Sequence, residues 1–198
     1  KRGDRVIVQL NSPGGTVTGY GLGAAQIIRL KNAGLPVTVS VDEVAASGGY
    51  MMACVADRIV ASPFAVIGSI GVVQTMPNFS EFLERHGVSV EDVTAGKYKR
   101  TMTPYKKNTE EDRKKVKSDL EAVFALFRNF IKTNRPNLNV DDVATGEIWH
   151  GSDALKKGLI DELRTTDDLI LQARDAGFDV YKLSVRPANI GPFGDPSD

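Results

Sequence analysis

Short apolar runs rich in β-branched residues alternate with longer helical patterns in the first third of the chain. The runs at residues 5–11, 37–41 and 58–62 have the composition of buried strands. Residues 17–33 repeat apolar side chains at helical spacing, and the small apolar residues of 48–57 indicate a buried helix. Strand, helix, strand, helix and strand in this order predict a parallel α/β sheet.

Helical patterns dominate the second half of the chain. Residues 109–134 combine an N-cap threonine, an acidic first turn and one apolar stripe, which together predict a long helix. Shorter helices are predicted over residues 78–86, 152–157 and 166–176, and strands over residues 88–95 and 180–185. We expect one domain over residues 1–186 and a flexible tail over residues 187–198, where Pro, Gly and Asp are frequent.

Composition and charge narrow the possible functions. Lys plus Arg and Asp plus Glu both number 25, so the net charge is zero, which argues against nucleic-acid binding. The single cysteine, Cys54, excludes an internal disulfide and a cysteine-based metal cluster, and its apolar neighbours indicate a small buried side chain. No apolar run is long enough to span a membrane. A strand that begins at the fifth residue leads us to expect further chain upstream.

The first candidate for chemistry is Ser47, in the small-residue sequence 45–49 between a predicted strand and a predicted helix. The first N–H groups of a helix have no partner within it and carry the positive end of its dipole. A serine beside them can be a nucleophile whose oxyanion meets these donors. It can equally be an N-cap, which residue preference alone favours.

The base that would activate Ser47 cannot be chosen from local sequence. His86 and His150 are the two histidines, and nothing near either one marks it as a base. A lysine can serve if its pKa falls from about 10.4 towards roughly 7–8 through burial or a nearby cation. Lys97 and Lys99, which follow Gly96 in the connection to the long helix, are both candidates.

Four motifs in order resemble those of the signal peptide peptidase A family of Ser–Lys peptidases, and in particular its short bacterial branch. They are Asn-Ser-Pro-Gly-Gly at 11–15, Ala-Ala-Ser-Gly-Gly-Tyr at 45–50, Ile-Gly-Ser-Ile-Gly-Val at 67–72 and Gly-Lys-Tyr-Lys at 96–99. The resemblance covers essentially the whole chain. It implies a ClpP/crotonase-like α/β fold of repeated ββα units, with a parallel sheet core and outer helices.

The resemblance also implies roles for particular residues. The nucleophile falls on Ser47, the general base on Lys99 rather than Lys97, and a serine that orients the lysine amine on Ser69. The oxyanion hole would use the N–H of Gly48 and that of a second glycine, with Gly15 favoured and Gly14 second. An extended substrate would bind beside the segment around 67–73, and the expected binding residues are Ile67, Gly68 and Ile70.

The function implied is that of a serine endopeptidase that hydrolyses membrane-associated or cleaved signal peptides through an acyl-enzyme, without metal or other cofactor. Family members assemble into homo-oligomers, and in the short members Ser and Lys come from adjacent subunits. A membrane helix upstream would anchor the domain on the periplasmic side of the bacterial inner membrane. ClpP-type enzymes differ because they place a histidine about 25 residues after the serine, where this chain has none. Two alternatives are a catalytically silent scaffold or binding module and an acyl-CoA-handling enzyme of the same fold.

Overall fold

The computed structural model describes residues 3–184, and the chain divides into two compact units, Lys1–Thr166 and Asp167–Asp198. The strands of the described part are β1 (Val6–Gln9), β2 (Val37–Val41), β3 (Val44–Ala46), β4 (Arg58–Ala61), β5 (Val66–Gly68), β6 (Ile148–His150) and β7 (Glu162–Leu163). Its helices are α1 (Val17–Asn32), α2 (Gly48–Ala53), α3 (Ser80–Arg85), α4 (Glu110–Asn134), α5 (Val140–Val143), α6 (Gly151–Lys156) and α7 (Thr166–Asp175).

The larger sheet is parallel throughout and forms the centre of the first unit. Its strand order is β1-β2-β4-β7, with β2 and β4 in the middle. Val39, Val41 and Ile59 on these strands are fully buried. A central parallel strand is covered on both faces, which explains why these strands appear in the sequence as nearly continuous apolar runs.

The smaller sheet is built from segments that directly follow strands of the larger one in the chain. It has the order β3-β5-β6, with β3 and β5 parallel and β5 and β6 antiparallel. The chain passes from β2 to β3 and from β4 to β5, and after β1 it reaches Ser12, which forms a parallel bridge with Ala45. The repeated passage from one sheet to the other, with helices following, confirms the predicted α/β fold class.

The long helix α4 begins and ends close to its predicted bounds. Thr109 caps it reciprocally with Asp112: the Asp112 N–H donates to Thr109 Oγ1, and the Thr109 N–H donates to the Asp112 carboxylate. Only Phe127 and Ile131 of its apolar stripe are buried, both in its last third. The first unit therefore covers the C-terminal part of the stripe and leaves the N-terminal part half-exposed.

Three predictions of secondary structure are wrong. The valine-rich segment 88–95 forms no strand, since it makes no pairing with either sheet in the described structure. Residues 180–184 are likewise not in a strand, and Val185 and the predicted tail lie outside the described residues. Helix α2 ends at Ala53, and the residues to 57 form a turn instead. Whether residues 1–186 form one domain stays a prediction.

Candidate active site

Three of the four motifs lie side by side because they follow neighbouring segments of the smaller sheet. The Ala46 N–H donates to the Ser12 carbonyl at 3.0 Å, and the Ser47 N–H donates to the Gly68 carbonyl at 2.7 Å. The turn at 12–15, the elbow at Ser47 and the turn at Gly68 are thus joined edge to edge. Carboxyl ends of parallel strands are where α/β proteins place their sites.

Ser47 itself occupies a strained backbone conformation. Its φ is 53° and its ψ is −119°, in a region that a non-glycine residue adopts only when its surroundings hold it there. Its side chain makes no capping hydrogen bond to α2, and within residues 3–184 its hydroxyl has no hydrogen-bond partner. The N-cap alternative is therefore not supported, and a free hydroxyl at a sharp strand-to-helix turn is typical of a nucleophilic serine.

Glycine is required next to Ser47 because the surrounding atoms leave no room for a side chain. A Cβ added to Gly48 would lie 2.4 Å from Cγ of Tyr20, and one added to Gly49 would lie 2.4 Å from the carbonyl oxygen of Ser12. At Gly14, whose φ is +100°, an added Cβ would lie 2.7 Å from Cβ of Ser47 and 2.8 Å from N of Gly48. The backbone of the 12–15 turn therefore packs directly against the elbow.

Of the three N–H groups predicted to bind an oxyanion, two are unpaired within residues 3–184. In the described part of the chain, the N–H groups of Gly48 and Gly15 have no acceptor. The Gly14 N–H differs, because it donates to Ser12 Oγ at 3.2 Å. This difference supports Gly15 over Gly14 as the second donor, together with Gly48.

The predicted substrate segment is partly core. The side chains of Ile67 and Ile70 are fully buried, so they fill the interior and could contribute to a substrate site only through their backbone. Gly68 has a φ of 110° and lies against the ring of Trp149. Ser69, at a φ of 48°, donates its N–H to the Glu147 carbonyl at 2.6 Å. The Ile70 carbonyl accepts from the Gly146 N–H, so residues 66–70 are hydrogen-bonded to residues 146–150 along the edge that faces β6.

The two candidate lysines differ in their partners. Lys97 Nζ lies 3.0 Å from the Glu111 carboxylate, and this hydrogen-bonded acid raises the pKa of Lys97, which is the wrong direction for a general base. Lys99 makes no side-chain hydrogen bond or ion pair within residues 3–184, and its side chain is exposed. No bond joins Lys99 to Ser47 in the described chain. Within one molecule, the described structure therefore shows no bond between the candidate base and the candidate nucleophile.

Neither histidine is engaged with the elbow. His86 Nδ1 lies 2.8 Å from the carbonyl of Phe82, and His150 Nδ1 lies 3.1 Å from the carbonyl of Phe64. Among residues 3–184, no three His, Cys, Asp or Glu side chains are grouped so as to hold a metal ion. Cys54 is buried as predicted, and burial raises the pKa of its thiol to about 12.

Sequence reasoning missed the residues that support the elbow from behind. Tyr20 lies one helical turn after the 12–15 turn, and its hydroxyl bonds to Ser12 Oγ at 2.7 Å and to the Gly14 carbonyl at 3.0 Å. A signal was present, since Gly19 and Gly21, which flank Tyr20, are unfavourable inside a helix and can indicate a packing or functional role. Its target could not be read without the fold, because the contact joins α1 to the N-terminus of α2.

The parallel α/β fold and a serine at a strained turn beside glycine donors together define a site typical of serine hydrolases. Comparison with family models is more specific: residues 29–179 match Peptidase family S49, and residues 1–27 match Peptidase family S49 N-terminal. The first match covers well over half of the chain, so the chain belongs to peptidase family S49.

Curated relatives agree with this family. The "Probable protease SohB" of Haemophilus influenzae is 53% identical over 172 residues, which are 87% of this chain and 49% of that protein. The protein of the same name from Buchnera aphidicola subsp. Schlechtendalia chinensis is 51% identical, over 86% of this chain and 56% of the relative. An Enterococcus faecium protein provisionally named signal peptide peptidase SppA is 30% identical, over 83% and 48%.

These comparisons confirm the predicted family and its short bacterial branch. The chain spans about half the length of the curated relatives that it matches. Within residues 3–184, no helix is both long enough and apolar enough to cross a membrane.

Proposed function

We propose that this chain forms the catalytic domain of a serine endopeptidase, with Ser47 as nucleophile and Lys99 as general base. The observation that carries the proposal is the conformation of Ser47. Its φ of 53° and its unpaired hydroxyl are maintained by a tightly packed elbow. Such strain persists only where the surrounding structure enforces it, and the Ser47 side chain makes no capping hydrogen bond to the helix that follows.

The chemistry follows from the available donors and acceptors. The neutral amine of Lys99 takes the proton of Ser47 Oγ, which attacks the scissile carbonyl carbon. The oxyanion is stabilised by the N–H groups of Gly48 and Gly15. The ammonium then gives its proton to the leaving amine, an ester remains on Ser47, and Lys99 activates the water that hydrolyses it.

We further propose that the two halves of the dyad come from adjacent copies of the chain. Every residue from Glu84 to Arg100 is exposed, and Lys99 lies near the end of this segment. Burial of a lysine in apolar surroundings favours its neutral form, which general-base catalysis requires. Exposed apolar residues on the same segment, such as Val93 at 97% exposure, would be covered in a homo-oligomer that brings Lys99 to a neighbouring Ser47.

The substrate is proposed to be an extended peptide with apolar side chains. It would lie beside Gly71–Val73, beyond the point where the pairing with residues 146–150 ends. A cleft of about 350 Å³ opens here, and its lining includes Val72, Leu120 and Phe124. Apolar peptide segments such as membrane-associated or cleaved signal peptides fit this lining. Because such signal peptides occur at the inner membrane, we propose that the domain acts on its periplasmic side. Digestion of the domain by a protease added to spheroplasts would test this location.

A serine-directed fluorophosphonate probe tests the proposed function. The assembled wild-type protein should be labelled, and Ser47→Ala and Lys99→Ala should each lose labelling by at least about 10³-fold. Lys97→Ala is the matched control, because it removes a lysine from the same turn and should leave labelling unchanged within about twofold.

The alternatives predict other results. A wild-type assembly that is not labelled would contradict the hydrolase and favour the scaffold or the acyl-CoA-handling enzyme. Loss of labelling in His150→Ala, with Lys99→Ala still labelled, would replace the lysine by a histidine base. Equal losses in Lys97→Ala and Lys99→Ala would contradict the choice of Lys99.

A further inference from the structure

We propose that Tyr20 is a positioning residue that sets the direction of the oxyanion-hole N–H of Gly15. The inference rests on the proposed function, since it assigns a cause to the geometry of the same site. Tyr20 contacts neither a reacting atom nor the predicted base. It acts through the peptide bond between Gly14 and Gly15 and through the backbone of Gly48.

Three hydrogen bonds form a closed ring behind the 12–15 turn. Tyr20 Oη donates to the Gly14 carbonyl at 3.0 Å. Ser12 Oγ lies 2.7 Å from Tyr20 Oη and accepts the Gly14 N–H at 3.2 Å. With the Tyr20 proton directed to Gly14, the Ser12 hydroxyl donates to Tyr20 Oη, so every hydroxyl proton has one acceptor. The ring therefore fixes both the N–H and the carbonyl of Gly14.

The direction of the Gly15 N–H follows from peptide geometry. The Gly14 carbonyl and the Gly15 N–H belong to one peptide plane, and in a trans peptide they point in opposite directions. No peptide bond in the described chain is cis. Holding the Gly14 carbonyl towards Tyr20 thus directs the Gly15 N–H away from Tyr20. Without that bond the plane could rotate, because glycines on both sides of a peptide bond give it little steric restraint.

The ring of Tyr20 fixes the spacing of the two donors. A Cβ built on Gly15 would lie 2.8 Å from Cε2 of Tyr20, and one built on Gly48 would lie 2.4 Å from its Cγ. The aromatic ring of Tyr20 therefore occupies the space beside both proposed donors where a side chain would lie. The ring spaces the two donors and the hydroxyl orients one of them, so Tyr20→Phe should separate these roles.

The test compares two Tyr→Phe variants that each lose one hydroxyl group, which makes two hydrogen bonds at Tyr20 and one at Tyr50. Tyr50 is the matched control: it lies in α2, is fully buried, and donates to the Leu159 carbonyl at 2.9 Å. On a fluorogenic peptide with apolar residues, Tyr20→Phe should lower kcat by about 10- to 100-fold, because a misdirected donor is lost for part of the time. KM should change less than about twofold, since the aromatic ring at position 20 and the substrate cleft are retained. Tyr50→Phe should keep the wild-type kcat.

A second pair of variants tests the closed ring. Ser12→Ala opens the same hydrogen-bonded ring by removing the two bonds of Ser12 Oγ. The double variant Ser12→Ala/Tyr20→Phe should therefore have a kcat no lower than that of the slower single variant. A crystal structure of Tyr20→Phe should show the Gly14 carbonyl turned from its wild-type direction. This readout does not depend on turnover.

The outcomes separate this inference from the proposed function. Wild-type labelling at Ser47 together with full kcat in Tyr20→Phe would overturn only the role of Tyr20. A loss of kcat in Tyr50→Phe as large as that in Tyr20→Phe would also overturn it, since a general loss of stability would then suffice. A wild-type protein without labelling or turnover would overturn the proposed function, and the inference with it.

Discussion

The two halves of the proposed dyad lie in contrasting surroundings. The serine half, which comprises residues 12–15, 44–49 and Tyr20, is closely packed and fixed by backbone hydrogen bonds to both neighbouring segments. The lysine segment, residues 84–100, is exposed at every position. The surroundings of Ser47 are thus packed within a single chain, whereas the lysine segment is a surface that a second chain could cover.

The contrast concerns what each half requires from its own chain. Around Ser47, atoms added to Gly14, Gly48 or Gly49 would overlap with neighbours, so the geometry is determined by packing. In the lysine segment, support comes from surface ion pairs such as Arg100 with Asp92 at 3.4 Å. Exposed pairs of this kind contribute little to stability. If Ser47 is positioned by its own chain and Lys99 comes from a neighbouring chain, activity depends on assembly.

The largest predicted effect on folding is that of Gly49→Ala. Its new Cβ would lie 2.4 Å from the backbone oxygen of Ser12, so the turn or α2 must shift. We expect the free energy of unfolding to fall by about 3 kcal/mol and labelling of Ser47 to be lost. Urea denaturation measures the first quantity.

Gly21→Ala is the control for this change. Gly21 lies in α1 with no atom within 4 Å of an added Cβ, so alanine there should raise stability by about 0.5–1 kcal/mol. Equal effects of the two substitutions would contradict the view that packing at the elbow determines its geometry.

A smaller effect is expected at the ion pair of Arg135 and Asp161, which belongs to the well-packed part of the chain. Arg135 donates from both terminal nitrogens to Asp161, at 2.9 and 2.7 Å, and the Ile59 N–H donates at 2.7 Å. Partial burial would raise the pKa of Asp161, but these hydrogen bonds outweigh it and lower the pKa. Asp161→Asn should therefore cost about 1–2 kcal/mol at pH 7, a modest value because the side chain of Asp161 is 35% exposed.

The pH dependence gives this prediction its sign. A lowered folded-state pKa stabilises the protein fully above the unfolded value of about 3.9, and the contribution is lost as the pH falls through the folded-state pKa. The difference in the free energy of unfolding between wild type and Asp161→Asn should shrink below about pH 4.

Glu111→Gln, which breaks the exposed pair with Lys97, should change the free energy of unfolding by less than about 0.5 kcal/mol. A larger loss at Glu111 than at Asp161 would reverse the comparison of the two regions.

Sequence patterns predicted the elements whose stability comes from the core. The strands at 37–41 and 58–61 and the helix at 110–134 appear with nearly the predicted bounds, because apolar periodicity reports burial directly. The same rule failed at 88–95. There three β-branched valines suggest a strand, yet the exposures of Val88, Val90 and Val93 are 49%, 47% and 97%, and no neighbouring strand pairs with them.

The site was predictable in type but not in arrangement. Resemblance selected Ser47 and Lys99, and residue chemistry alone could not separate Lys99 from Lys97, because the distinguishing partner Glu111 lies on another element. Tyr20 was missed for the same reason, since its role depends on how α1 packs against α2. Local patterns describe faces and turns, whereas the partners of a side chain depend on topology.

The central claim, that Ser47 and Lys99 of different chains form one site, is tested most directly by complementation. Ser47→Ala and Lys99→Ala chains are co-expressed with different tags, and mixed assemblies are isolated through both tags. Each variant alone should be inactive. A mixed assembly pairs an intact Ser47 with an intact Lys99 at some interfaces, so we predict recovery of about a quarter of the wild-type rate with random assembly. Mixed assemblies that stay as inactive as either parent would show that the dyad does not form between chains, and would contradict the account.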